Sequence, residues 1–418
     1  MVGLFPKRIE RLLINLPKKA YIVLLAALVI NLVNGVLYAW SIFGKALTQQ
    51  WAWTSSQASL PYALAVGLMS FGVMVAGRLQ DRFGPRPVAL AGAALAGIGI
   101  FVSSFATPEN TLPVVIGFGV MGGLGIGCGY AAATPPVVKW FGPRRKGLVT
   151  GIVVAGFGLA SIYIAPLTTY LIDSIGISQT FRTLGVAFFL IAVIGALLLR
   201  DAPEEILAQH AEEARQADTT LPVCAEAVTT SQMLRTSRFY LMWVAYVCAA
   251  FAGLMIIGVM ANVAAVQIPS LNLGFLLVAA LAIGNALGRL IAGVLVDRIG
   301  FIKTMLIAFI GQAIAMCILG SVGTLAPLIG ISLLIGAFYG ANLSIFPAMT
   351  ADFFGTRTLG ANYGVMFTAY GIGGIFGSLT AARLFDITGS FQSAFYVAAG
   401  LCVIAAFLAP LAGRKSES

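Results

Sequence analysis

Long apolar runs separated by short polar, mostly basic gaps make up almost the whole chain. The runs fall at residues 20–46, 58–78, 86–106, 112–138, 147–172 and 181–199, and again at 239–263, 271–295, 302–322, 325–350, 360–384 and 391–411. Each is close to or above the ~20 residues a helix needs to cross about 30 Å of hydrocarbon. A spanning helix satisfies its own backbone groups, which an open strand in lipid cannot do. The pattern therefore predicts an all-α membrane protein of twelve transmembrane helices. Residues 200–238 interrupt it. Their Asp201–Asp218 portion is acidic and helix-prone through Glu204, Glu205, Glu212 and Glu213, and reads as a solvated connector. The expected organisation is a six-helix bundle over 1–199, a cytoplasmic linker over 200–238 and a second six-helix bundle over 239–418.

Composition sharpens this reading. Residues of the AVILMFWYC set form 59% of the 418 residues and charged residues only 10%, with mean hydropathy +0.96; a soluble domain has about 25% charged residues. The basic N-terminal segment (Lys7, Arg8, Arg11, Lys18, Lys19) precedes an apolar run that passes Tyr38 without a small-residue cleavage site, so a retained first span is expected.

The net charge of +10 raises nucleic acid as a partner, but the basic residues sit in short clusters between apolar runs with no interleaved aromatics. Topology explains them better. With both termini cytoplasmic, only Lys45, Arg182, Arg289 and Arg383 of the 25 Lys and Arg lie outside cytoplasmic segments, leaving 21 inside, as the positive-inside rule requires. A multi-pass protein of the inner or plasma membrane is expected, with the lipid bilayer as its environment and no required protein partner. The five cysteines are scattered without CxxC spacing, and His210, the one histidine, has no metal-ligand company. No metal, no cofactor and no enzymatic acid–base pair is expected.

The two halves repeat. Gly77-Arg-Leu-Gln-Asp81-Arg82-Phe-Gly84 follows span 2, and Gly293-Val-Leu-Val-Asp297-Arg298-Ile-Gly300 follows span 8, 216 residues later. Phe141-Gly142-Pro-Arg144 and Phe354-Gly355-Thr-Arg357 end spans 4 and 10 at an offset of 213. Duplicated six-helix halves around a midplane site are a transporter architecture. Asp81, Arg82, Asp297 and Arg298 are the candidate gate residues, placed where they can meet helix ends and break on opening; a static topogenic loop is the alternative.

This duplicated frame resembles the signature loop of the major facilitator superfamily over the whole chain. Tyr38-Ala-Trp40-Ser-Ile-Phe43, Trp140–Leu148 leading to Ala155-Gly-Phe-Gly158, Met233-Leu-Arg-Thr236 and Asn362-Tyr-Gly364 resemble its monocarboxylate porter and oxalate/formate antiporter branch. The resemblance implies two pseudo-symmetric six-helix bundles, alternating access and a small-carboxylate substrate. Proton-coupled symport of a lactate- or pyruvate-like monocarboxylate is the leading expectation, so a small monocarboxylate and a proton are the expected partners. A carboxylate exchanger is the nearest rival; a channel or sensor is more distant.

Arg289 carries most of the site reading. It lies within span 8, where an arginine costs about 2.5–3.5 kcal/mol to insert and so needs an internal cavity and a partner. No Asp or Glu lies at comparable depth, so an incoming carboxylate, met by two parallel charge-assisted bonds, is the natural partner. Backbone carbonyls of a broken helix are the alternative. Asn285 stands one turn earlier on the same face. Tyr38, Tyr130, Tyr339 and Tyr370 recur near midplane, with Asn34 one turn from Tyr38, Leu37 sharing that face, and Phe367 as an apolar wall.

The resemblance adds three departures. Animal monocarboxylate porters hold an Asp where Asn285 stands, and the first-helix Lys of those porters is absent. Oxalate exchangers carry a Lys in span 11 at the position that, counted from Asn362-Tyr-Gly364, falls on Tyr370.

Overall fold

The computed structural model describes residues 17–142, 145–208, 228–269, 274–355 and 359–413, and these are overwhelmingly helical. We number the membrane-crossing helices in chain order: α1 Lys18–Gln50, α2 Ser55–Phe83, α3 Pro85–Phe105 and α4 Leu112–Phe141. The next two, α5 (146–175) and α6 (177–198), meet end to end at Gly176. After the linker come α7 Ser237–Gln267, α8 Gly274–Ile299, α9 Phe301–Leu319, α10 Leu325–Phe354, α11 (359–388) and α12 Gln392–Gly413. All are long and apolar enough to span a bilayer, α5 and α6 as one continuous run. The fold is thus an all-α, multi-spanning membrane architecture of twelve crossings.

The α5–α6 junction corrects the boundaries read from polarity. A loop over 173–180 was expected between spans 5 and 6, but helix continues on both sides of Gly176, which alone turns the chain at φ 79° and ψ 170°. That region of backbone space is essentially restricted to glycine, so one residue does the work of a loop. His210, Cys224, and Arg144 and Arg357 of the paired motifs lie outside the described residues.

The sequence repeat reappears as a repeat of backbone geometry. Gly84 and Gly300 turn α2 into α3 and α8 into α9 at φ 82° and ψ 171° or 168°. Gly142 (φ 76°, ψ 175°) and Gly355 (φ 84°, ψ 159°) end α4 and α10 in the same conformation. Gly84, Gly300, Gly142 and Gly355 are therefore required by the turns, whatever the gate residues beside them do.

Local signals set the helix starts. Thr54 accepts from Gln57 N while Gln57 returns a bond to Thr54 N, a capping box that begins α2. Thr236 caps α7 through Phe239 N. Packing then depends on small residues, as expected where lipid supplies no hydrophobic drive between helices. Gly284 and Gly288 of α8 press on the carbonyls of Leu333 and Ala337, and Gly336 and Gly340 of α10 on those of Leu281 and Asn285. Any side chain at these four would collide with backbone, so α8 and α10 form one tight pair. That pair carries Arg289 and Tyr339.

The described ends of the linker are tied down. Lys139 of α4 pairs with Asp201 at 2.7 Å, and Trp140 donates to Arg200 O. At the far end Asn362 donates to Val228 O and accepts from Thr230, which gives the Asn362-Tyr-Gly364 motif a structural task at the start of α11.

Candidate binding site

Three helices lose α-helical regularity where they approach one another. α1 tightens into a 3₁₀ turn at Gly35–Ala39, and α5 at Ala160 and α11 at Phe367 each lose regular bonding for one residue that keeps helical φ/ψ. Irregular backbone at membrane depth is tolerated where it is buried in protein or lines a cavity. Gly35 seats the α1 turn directly on Phe157 O and Ala160 of α5, so two of the irregularities pack on each other.

Five aromatic rings from α1, α4, α5 and α11 close a belt there. Tyr38 meets Phe157 edge-on at 4.9 Å, Phe157 meets Tyr130 at 5.4 Å, and Tyr130 stacks on Phe367 at 6.3 Å. Phe367 stacks on Tyr370 at 4.6 Å, and the Tyr370 hydroxyl returns to that of Tyr38 at 3.1 Å. Tyr339 of α10 joins through its own hydroxyl, 2.9 Å from that of Tyr38. Offset and edge-to-face contacts of this kind add roughly 0.5–1.5 kcal/mol per pair beyond burial. The belt is also a bridge between the first six and the last six helices.

Arg289 stands beside the belt and is 9% exposed, the one charged side chain among the buried described residues. Its Nε donates to Asn285 Oδ1 at 2.9 Å and its Nη1 to Val154 O of α5 at 2.9 Å. Among the described residues no carboxylate pairs with it; the ion pair found there is Lys139–Asp201. Nη2 holds no hydrogen bond among them, and Asn285 Nδ2 is a buried donor without a partner. A carbonyl of another helix thus fixes part of the Arg289 fork, as the alternative reading expected, and Nη2 keeps no hydrogen-bond partner among the described residues. Gly158 of α5 faces Nη2, since a Cβ there would lie 3.7 Å from both Arg289 Nη2 and Asn285 Oδ1. Tyr130 and Tyr363 lie within electrostatic range of the guanidinium. The arrangement offers a planar anion several N–H donors beside neutral hydroxyls and rings and, among the described residues, no competing negative charge.

Of the residues singled out in the sequence, the structure brings together Arg289, Asn285, Tyr38, Tyr130, Tyr339, Tyr370 and Phe367. Leu37 is fully buried in the 3₁₀ turn next to Tyr38. Asn34 is not with them. It abuts Gly129 and lines a small internal cavity with Val33, Val36, Ala93 and Ile126 among the first six helices. The 3₁₀ turn is the physical reason, because the one-turn stacking of Asn34 on Tyr38 holds only in a continuous α-helix. Arg82 is exposed and lies over the Phe83 ring at 5.2 Å, and Asp297 and Arg298 are exposed at the end of α8. Asp81 lies in the last turn of α2, with its side chain outside the described residues.

Three residues of the site escaped sequence reasoning: Phe157, Gly158 and Tyr363. The first two sit in the Ala155-Gly-Phe-Gly158 motif, which pointed to them without assigning a task. Ser344 also supports the site, donating to Arg289 O at 3.1 Å.

Residues 21–275 and 242–418 each match the Major Facilitator Superfamily. The chain is 30% identical over 372 residues to the uncharacterized MFS-type transporter YhjX of Escherichia coli (strain K12), covering 86% of this chain and 87% of that one. It is 25% identical over 410 residues to the oxalate:formate antiporter of Oxalobacter formigenes, covering 94% and 92%. The fold is similar to the partially occluded inward open conformation of the xylose transporter XylE from E. coli, with a TM-score of 0.71 at 16% identity over 95% of this chain and all of that one.

Proposed function

The chain belongs to the Major Facilitator Superfamily, and from that premise we propose that it moves a small monocarboxylate of the lactate or pyruvate class together with a proton. As a member it is a secondary transporter working by alternating access, embedded in the membrane, and not an enzyme. One observation carries the substrate class. The buried Arg289 guanidinium has open N–H donors and no carboxylate partner among the described residues. A buried, uncompensated cation costs several kcal/mol, which an incoming carboxylate offsets through charge-assisted bonds. Arg289 and Asn285 hold the carboxylate, and the Tyr38, Tyr339 and Tyr370 hydroxyls meet a 2-hydroxy or 2-keto oxygen. Tyr130, Phe157 and Phe367 wall the carbon chain, with Leu37 behind Tyr38.

Both termini face the cytoplasm on the strength of the Lys and Arg bias. Asp81, Arg82, Asp297 and Arg298 serve the cytoplasmic gate. Asn285 cannot titrate, so the proton travels on the substrate carboxylate or on a gate acid, Asp81 or Asp297. Carboxylate exchange is the second reading, favoured by the likeness to an oxalate:formate antiporter along nearly the whole chain.

Uptake of labelled lactate, pyruvate, oxalate and formate into proteoliposomes separates the two. Symport predicts lactate or pyruvate uptake into empty vesicles, stimulated by external acid and indifferent to an imposed membrane potential. Uptake that ignores the pH gradient but requires internal carboxylate replaces symport with exchange.

A further inference from the structure

On the face opposite the termini, the first two backbone N–H groups of α2 are taken by a side chain from the other end of the protein. Asp386, in the last turn of α11, accepts from Ser55 N at 2.8 Å and from Ser56 N at 2.9 Å. The Ser56 hydroxyl donates to the same carboxylate. The next N–H, that of Gln57, belongs to Thr54 of the same helix. A carboxylate at a helix N-terminus satisfies orphan donors and meets the positive end of the helix dipole, so the contact is both hydrogen-bonded and charge-assisted.

Its position gives it a consequence for transport. α2 and α11 touch along their length: Ser70 donates to Phe367 O at 2.7 Å in the middle, and Met74 lies against Gly364 toward the termini face. Asp386 closes this seam at its far end. A path that opens on that face between α2 and α11 has to part their ends and to break the three hydrogen bonds that the exposed Asp386 carboxylate accepts.

We propose that Asp386 is a gate latch, a charged cap supplied by α11 to α2 that holds this face of the transporter closed. The motif acids Asp81 and Asp297 lie at the opposite ends of their helices and have no part in it. The latch concerns the closed-to-open equilibrium and is independent of which solute is carried.

The test reads distance, not transport. Spin labels are placed at Glu109 and Ser321, exposed residues of the α3–α4 and α9–α10 connections on that face, in a protein whose five cysteines are replaced by alanine. Pulsed electron–electron double resonance then reports the separation in nanodiscs without substrate. Asp386→Asn keeps the shape but sets an amide N–H against the helix N–H groups. Ser55→Pro deletes one donor with the helix intact: proline suits the first helical position, and Thr54 already has the extended conformation (φ −65°, ψ 157°) that a following proline needs. Both variants are expected to gain a longer-distance population, with the open-to-closed ratio raised roughly fivefold in Asp386→Asn and less in Ser55→Pro. Distributions identical to the parent in both variants overturn the latch. A response in Asp386→Asn alone also overturns it, because charge and not the helix end is then responsible.

Discussion

Replacing Arg289 by lysine isolates the planar fork from the charge. Arg289 reaches three ways: Nε to Asn285 at 2.9 Å, Nη1 to Val154 O at 2.9 Å, and Nη2 toward the space in front of Gly158. A lysine ammonium keeps the positive charge but is a point donor on a flexible stem and cannot hold a protein carbonyl and a substrate carboxylate in one plane. Of two parallel bonds to the substrate, one is lost. A charge-assisted hydrogen bond contributes about 1.5–3 kcal/mol, so substrate affinity should fall roughly 10- to 150-fold. The variant should insert and fold normally, because the α8–α10 contact rests on glycines and not on the guanidinium. The assay is the concentration dependence of labelled lactate uptake in proteoliposomes, normalised to reconstituted protein and compared with Arg289→Gln. Half-saturation and maximal rate within about twofold of the parent would show that Arg289 is not the carboxylate clamp.

Two further substitutions probe the same space. Gly158→Ala should be tolerated, since its Cβ would make ordinary 3.7 Å contacts with Arg289 and Asn285, whereas Gly158→Leu should fill the anion position and lower lactate uptake about tenfold or more; equal rates for the two would place the substrate elsewhere. Tyr370→Lys removes the 3.1 Å hydroxyl contact with Tyr38 and adds a second cation, so lactate uptake should fall while inhibition by oxalate strengthens, read from competition curves. Unchanged competition would exclude Tyr370 from selecting between one and two negative charges.

What the sequence could and could not disclose follows from what each signal measures. Hydropathy reports the cost of leaving water, so the spans and their repeat were legible, and so was Arg289, whose charge is anomalous at its depth. The boundary of α5 was not, because Asp173, Ser174, Ser178 and Gln179 are polar for the same reason whether they form a loop or a helix end at the membrane surface. Phe157 and Gly158 were hidden differently. An apolar ring or a glycine within an apolar span looks alike whether it faces lipid, packing or substrate, and only the contact with Tyr38 and Arg289 distinguishes it. The displacement of Asn34 arises from a five-residue 3₁₀ turn, a change in winding that residue spacing cannot register.

The central claim is that one fixed positive charge, set beside a neutral aromatic belt, selects a monoanion. Competition of unlabelled oxalate and unlabelled lactate against labelled lactate uptake, at neutral pH in the unmodified protein, tests it most directly. Leaving a second carboxylate uncompensated in a low-dielectric site costs several kcal/mol, so oxalate should inhibit at least ~100-fold more weakly than lactate. Inhibition by oxalate at the same concentrations as lactate would contradict the account and put the exchanger ahead of symport.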